Sequence, residues 1–348
     1  MKKRRLGNSD LEVSILGVGC FQFGGGSYWG PQDLKDVEDV VHRALDTGIN
    51  YFDTAEVYNE GESERALGLA LKGRRDQAII GSKVTTANIE PAKLRAHCED
   101  SLRRLGTDYM DLYMLHWPLN PLSVKHYSSD EQLMANLPSV QEVFNTLHDL
   151  KKEGKIRHIG ISNHGVQQMG EVLATQVPVV ANELAYNLLS RAIESELVPY
   201  CAEKQIGVIA YMPLQQGLLT GKYSTLDEVR PMLARTRHFH HSRTDSRHGE
   251  EGAELETGEA IRAIIAIAAE LQVSPSVLSL AWVMANEHMA TTIVGSRNLA
   301  HLHANVQGAS LQLDHNTMTR LNDATEQLRL VLGNNPDYWE NRNDSRIF

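Results

Sequence analysis

No apolar run in this chain of 348 residues approaches the roughly eighteen residues that a membrane helix needs, so no spanning segment is expected. Cysteine is scarce. Cys20, Cys98 and Cys201 are three in number and far apart, which argues against a disulfide framework and a zinc site and suits the reducing cytoplasm. Bases are in deficit, 34 Lys and Arg against 44 Asp and Glu for a formal net charge of -10. A general affinity for phosphate backbones or anionic lipid is therefore absent, and nucleic acid and membranes are not expected partners. The opening KKRR is followed by LGNSDLEVS, with neither an apolar segment nor a cleavage site, and reads as a solvated terminus. Low-complexity tracts, linkers and fixed-period repeats are lacking too.

What is present is the balance of a globular protein, 42% hydrophobic and 22% charged, in a length suited to one α/β barrel spanning 1–348. Short apolar runs recur: SILGVGCF, INYFD, QAIIGSK, DLYMLHW, HIGIS, VVANEL, GVIAYM and ATTIVGS. They are continuous rather than alternating, the pattern of strands covered on both faces of a parallel sheet. Helical spacing separates them, as in LKDVEDVVHRALDTG, which stops at Gly48, and AKLRAHCEDSLRRLG, which runs from Pro91 to Gly106. Strand then helix, eight times over, predicts a closed (β/α)8 barrel rather than an open doubly wound sheet. Three insertions are expected near the mouth formed by the strand C-termini: 118–138 after the fourth strand, 221–257 after the seventh, and a tail from about residue 315.

Titratable residues end three successive strands: Asp53 after INYF, Lys83 after AIIGS and His116 after LYML. In a parallel barrel these ends are neighbours at one mouth, and Tyr58, on the loop after Asp53, folds back over them. A Tyr hydroxyl is a poor acid near neutrality, but an adjacent ammonium is expected to lower its pKa. Lys83 supplies that charge, Asp53 is its counter-ion, and His116 orients an oxygen or relays a proton. Such a group donates a proton to an oxygen gaining negative charge, as when hydride adds to a carbonyl. Each residue alone has a structural alternative: a loop-capping Asp, a core His, a Lys whose stem is buried and whose head reaches water.

The strings NYFDTAEVYNEGESERALGLAL, GSKV, LHW, IGISN, AYMPLQQGLLTGKY and IVGSRNLAHLHAN, in this order, resemble those of the aldo-keto reductase superfamily. RLGNSDLEVSILGVG resembles the hairpin that closes the bottom of that barrel. The resemblance implies a TIM barrel with an NADP(H) cofactor, NAD(H) being the alternative, and a tetrad of Asp53, Tyr58, Lys83 and His116. It implies Ser162 and Asn163 at the nicotinamide amide, with Glu183 where the family usually has Gln, and Tyr211 stacked on the ring. Gln216, Gly217, Leu218 and Lys222 fall on the pyrophosphate loop; Gly295, Ser296, Arg297, His301 and Asn305 fall on the adenosine end, with Arg297 matched to a 2'-phosphate. An ionised Glu only accepts hydrogen bonds where Gln also donates.

The expected substrate is a small carbonyl compound or polyol. Phe21, Phe23, Tyr28 and Trp29, in the glycine-containing loop GVGCFQFGGG and just after it, and Trp117 are candidates for an aromatic substrate wall, with loop packing as the alternative. That loop lacks the GxGxxG spacing of an open dinucleotide fold. His126, Asn120 and Tyr338 hint at a hydroxylated substrate. The run RTRHFHHSRTDSRH, 235–248, lacks metal-ligand spacing and reads as a solvated, mobile loop or lid. No metal is expected. Two further readings stay open: the same barrel oxidising an alcohol or sugar, or a cofactor-binding redox-sensing subunit that docks through the tail NPDYWENRNDSRIF.

Overall fold

A computed structural model describes residues 1–348. A hairpin comes first, β1 (Lys3–Arg5) antiparallel to β2 (Glu12–Ser14). The eight strands that follow are β3 (Leu16–Gly19), β4 (Tyr51–Asp53), β5 (Ile79–Val84), β6 (Met110–Leu115), β7 (Ile156–Ser162), β8 (Val179–Ala185), β9 (Gly207–Tyr211) and β10 (Met289–Gly295). They close a parallel barrel in that order, β10 pairing with β3. Each matches one of the continuous apolar runs, because helices cover the outside of the barrel while side chains fill its inside.

Twelve α-helices accompany the strands: α1 (Leu34–Asp46), α2 (Glu62–Ala70), α3 (Pro91–Leu105), α4 (Pro121–Tyr127), α5 (Glu131–Ala135), α6 (Val140–Lys152), α7 (Val166–Ala174), α8 (Leu197–Glu203), α9 (Glu254–Glu270), α10 (Pro275–Ala285), α11 (Leu299–Ser310) and α12 (His315–Leu332). Their ends follow local chemistry. Asp33 caps α1 by accepting from the Lys35 backbone N–H, Ser139 and Glu142 form a capping box on α6, and α3 starts at Pro91 and stops at Gly106, which takes φ 63°.

The larger hydrophobic cluster lies between strands and helices. A second cluster joins Leu6, Leu11 and Val13 of the hairpin to Tyr51, Leu112, Val180, Ile209 and Ile293 of the strands, so the hairpin plugs the N-terminal end. No single helix is long and apolar enough to cross a membrane.

The three insertions meet one another. Arg247 of the 221–257 segment donates to Nδ1 of His126 in α4 at 3.1 Å and pairs with Glu340 of the tail at 2.7 Å, and Asn120 donates to the Arg346 carbonyl at 3.1 Å. The tail returns because it carries its own anchors: Tyr338 is fully buried, and Arg346 and Asp337, both buried, form a two-pronged pair at 2.8 and 2.7 Å. That packing holds the tail against the barrel mouth.

The expectation of a solvated 235–248 loop fails over its first half. Arg237, His238 and Phe239 are fully buried, and Arg237 donates to the carbonyls of Leu332 and Asn335. Five donors in a rigid fork suit the carbonyls at the end of α12 and just beyond it, and the segment is stitched to the tail rather than left in water.

Candidate active site

At the C-terminal end of β4, Asp53 accepts from the Lys83 ammonium of β5 at 2.5 Å, and both side chains are buried. Lys83 donates further to the Thr54 carbonyl at 3.1 Å and to the Tyr58 hydroxyl at 3.4 Å. A third group, Glu183 of β8, brings Oε2 to 3.4 Å from the same ammonium. The register of adjacent parallel strands makes the first pairing unavoidable: Asp53 lies opposite Gly81, two residues before Lys83 on the same face.

Tyr58 is held by a strained loop. Asn59 and Glu60 take φ of 49° and 56°, rare for residues with a side chain. Gly61 follows at φ 87°, where a Cβ would stand 2.6 Å from the Arg104 side chain. The Asn59 amide donates to the carbonyls of Phe21 and Phe23 and so ties this loop to the one after β3. The Tyr58 ring lies between Phe21, at 4.7 Å between centroids, and His116, at 5.8 Å.

The electrostatics revise one expectation. Burial pushes the Tyr58 hydroxyl above its ordinary pKa, with Lys83 pulling in the opposite direction. Desolvation outweighs the ammonium, and Tyr58 is a phenol that keeps its proton at neutral pH. Burial, reinforced by Lys83, holds His116 well below the ordinary histidine value, so its ring is neutral, and its Nδ1 has no protein partner. Burial, then the Asp53 charge, pushes Glu183 well above the carboxylate range.

Ser162 ends β7 beside this group and Asn163 follows it. Asn163 takes φ 60°; its amide donates to the His116 carbonyl and to the Ser162 hydroxyl and accepts from the Tyr211 hydroxyl at 2.7 Å. The loop after β9 carries Gln216 at φ 53° and Gly217 at φ 98°, and a Cβ on Gly217 would stand 2.8 Å from Nζ of Lys222. An ammonium is thus laid against bare backbone, a cradle suited to phosphate oxygens. Leu218 offers only its backbone there, since its side chain is buried in the core.

After β10, the Ser296 hydroxyl accepts from Asn305 at 2.9 Å, and Asn298 caps α11 by accepting from the His301 backbone N–H. His301 is exposed, and so is Gly295. Arg297 donates to the carbonyls of Trp29 and Pro31, latching the loop after β3 to this end of the groove.

Of the expected aromatic wall, Tyr28, Trp29 and Phe21 form a cluster with centroids 4.8 to 5.5 Å apart. Phe23 is a correction: it is fully buried in the main core, because its backbone carbonyl is pinned by Asn59 and its ring points inward. Trp117 is covered by the Arg346 guanidinium at 3.9 Å. Two of the three polar candidates, Tyr338 and Asn120, are engaged by the protein itself. The Tyr338 hydroxyl is taken by the Ala192 N–H at 3.0 Å, and Asn120 caps α4. His126 is drawn down to about 4 by burial and neighbouring arginines. On the surface, His240, His241 and Glu251 bring three ligand atoms within 4.8 Å of one another, a grouping that sequence spacing does not reveal.

The sequence missed three participants: Glu183 as a partner of Lys83, Tyr127 with its ring centroid 6.0 Å from His116, and Arg346. The departure from Gln at position 183 was the signal for the first. The polar, aperiodic tail carried none for Arg346.

A family model described as the aldo/keto reductase family matches residues 15–326. The chain is similar to the NADH-specific methylglyoxal reductase of Escherichia coli K12, 30% identical over 349 residues covering 94% of this chain and 99% of that one. Among solved structures it is similar to the glycerol dehydrogenase of Gluconobacter oxydans, with 26% identity, a TM-score of 0.75 and coverage of 94% of this chain and 95% of that one. It is also similar to an aldo/keto reductase from Klebsiella pneumoniae solved with NADP and acetate, with 25% identity, a TM-score of 0.68 and coverage of 98% and 96%.

Proposed function

This chain belongs to the aldo/keto reductase family, oxidoreductases of NAD(P)H-dependent carbonyl chemistry, and on that premise we propose that it reduces aldehydes or ketones, sugar-like ones included, with Tyr58 as proton donor. The observation that carries the reading is the buried Asp53–Lys83 pair at 2.5 Å with the Tyr58 hydroxyl 3.4 Å from the same ammonium.

Each residue then has a task. Tyr58, un-ionised, gives its proton to the carbonyl oxygen as negative charge develops there. Lys83 stabilises the phenolate left behind, and Asp53 keeps Lys83 charged and fixed. His116, neutral, orients the carbonyl oxygen through a ring nitrogen. The aromatic cluster of Phe21, Tyr28 and Trp29 forms one wall for the substrate.

The groove residues fit a dinucleotide: the Gly217 cradle under Lys222 suits a pyrophosphate, and the start of α11 favours a further anion. We assign Ser162, Asn163 and Tyr211 to the nicotinamide end, Gln216, Gly217, Leu218 and Lys222 to the pyrophosphate, and Gly295, Ser296, Arg297, His301 and Asn305 to the adenosine end. Bound there, the cofactor supplies the hydride. Arg297 supports a preference for NADP(H): its guanidinium suits a 2'-phosphate once it leaves the two carbonyls that now hold it. Three buried, free cysteines support a reducing, cytoplasmic setting.

The likeness to a glycerol dehydrogenase favours a second reading, oxidation of a polyol by the same groups in reverse. A fluorescence titration with NADPH and NADH, followed by a panel of aldehydes, ketones, sugars and polyols assayed in both directions, tests the proposal. Turnover of a carbonyl upholds it. Cofactor binding with no turnover of any compound contradicts it.

A further inference from the structure

Lys83 carries one positive charge, yet two carboxyl groups reach it, Asp53 at 2.5 Å and Glu183 at 3.4 Å. All three side chains are almost wholly buried, none more than 4% exposed. Were both acids ionised, the cluster would hold an unpaired negative charge out of water, which costs several kcal/mol, and a group in that position takes up a proton instead. Two buried oxygens mark where it belongs: Asp53 Oδ2, and Glu183 Oε2, whose contact with the ammonium is the long one at 3.4 Å, and the two carboxyls lie within reach of a shared proton. Like charges around one site push one acid up, and the acid with the looser hold on the ammonium is Glu183.

The groups facing Glu183 leave no other source of compensation. From β4 come Asp53 and the buried Tyr51 hydroxyl, which turns toward the Asp53 carboxyl; from β5, Lys83; from β9, Tyr211; from the loop after β4, Tyr58; Cys20 and His116 stand near Lys83. Burial pushes the hydroxyls of Tyr51 and Tyr211 and the thiol of Cys20 up, so they stay neutral, and His116 is neutral as well. Lys83 is the one cation in the group.

We propose that Glu183 is the proton store of this site, holding a proton while the cofactor is reduced and delivering it through Lys83 to Tyr58 when the nicotinamide becomes cationic. The inference rests on the functional reading above. Lys83 has the geometry of the bridge, with Nζ 3.4 Å from the Tyr58 hydroxyl on one side and 3.4 Å from the Glu183 carboxyl on the other.

The balance closes. In reduction the hydride electron pair forms the new C–H bond, the carbonyl π bond breaks, and its oxygen takes the Tyr58 proton. Lys83 returns a proton to the phenolate, and Glu183 returns one to Lys83. Tyr58 ends as a phenol, Lys83 as an ammonium, and Asp53 and Glu183 as two carboxylates. The added negative charge on Glu183 matches the added positive charge of the oxidised ring, so the net charge of the enclosed site is unchanged. A solvent proton restores Glu183 when the oxidised cofactor leaves. A Gln at position 183 has no proton to give.

The test is proton counting on binding. Titration calorimetry of the full chain with NADP+ and with NADPH, each in buffers of different ionisation enthalpy near neutral pH, gives the protons exchanged per cofactor bound. About one proton released with NADP+ and about none with NADPH is expected by linkage, the release disappearing in Glu183→Gln. The NADP+ association constant then rises about tenfold per pH unit in the wild type while the variant is flat. As a second readout, the infrared C=O band of a protonated carboxyl vanishes on adding NADP+ and is missing in the variant. Binding of NADP+ without proton release, or release that persists in Glu183→Gln, overturns the inference and leaves the functional reading standing. Failure of both cofactors to bind overturns that reading and the inference with it.

Discussion

The Lys83 ammonium donates to the Asp53 carboxylate at 2.5 Å, and neither side chain is more than 2% exposed. Such a pair contributes little net stability relative to an apolar pair of the same volume, yet breaking it is costly because it leaves a buried charge alone. Lys83→Met is expected to lower unfolding stability by about 3–5 kcal/mol and to remove nearly all turnover. Urea denaturation beside an initial-rate assay checks both halves, and a stable, active variant would show that the pair is dispensable.

The tail holds a second buried pair, Asp337 with Arg346. Asp337→Asn strands the guanidinium against Trp117 and is expected to cost about 3 kcal/mol or more, measured as a drop in the denaturation midpoint. The same change loosens the segment over the barrel mouth, so KM for the substrate rises while the dissociation constant for the cofactor stays put.

Acid stability carries the signature of buried histidines. Burial draws His238 from the ordinary 6.5 down to about 4, while the unfolded chain protonates it at the ordinary value. Between those pH values the unfolded state binds more protons, so stability is complete above about 6.5 and is lost as pH falls toward 4. The loss attributable to His238 is about 3 kcal/mol. His238→Gln, which keeps a donor for the Leu189 carbonyl, is expected to flatten the stability curve over that range. An unchanged slope would mean that His238 protonates without unfolding the chain.

Arg297 tests cofactor preference. Hydrogen bonds to charged groups are worth about 1.5–3 kcal/mol, so Arg297→Ala is expected to weaken NADPH binding by roughly 10- to 100-fold and NADH binding much less. Equal weakening of both would mean that Arg297 acts by latching the loop after β3 through the Trp29 and Pro31 carbonyls, not by holding a 2'-phosphate.

The barrel was legible because eight continuous apolar runs, each set off by a helical segment with its own stop signal, leave little room for another architecture. The convergence of Asp53, Lys83 and His116 was legible for the same reason, since strand ends in a parallel barrel share one mouth. What the sequence hid was long-range. Nothing local to Arg237 says that its guanidinium is buried against carbonyls about a hundred residues away, and nothing local to Arg346 says that it covers Trp117. The inward turn of Phe23 depends on Asn59, from the next loop. The shift of Tyr58 came out with the opposite sign because charge proximity is readable from motif positions, whereas desolvation depends on everything packed around the hydroxyl.

The central claim is that Tyr58 supplies the proton. Single-turnover oxidation of bound NADPH by a reactive aldehyde, followed by stopped flow in wild type and Tyr58→Phe with cofactor affinity measured alongside, tests it most directly. The account predicts unchanged NADPH affinity and a rate lower by about 10²- to 10⁴-fold. A variant that binds NADPH normally and turns over at the wild-type rate would contradict it.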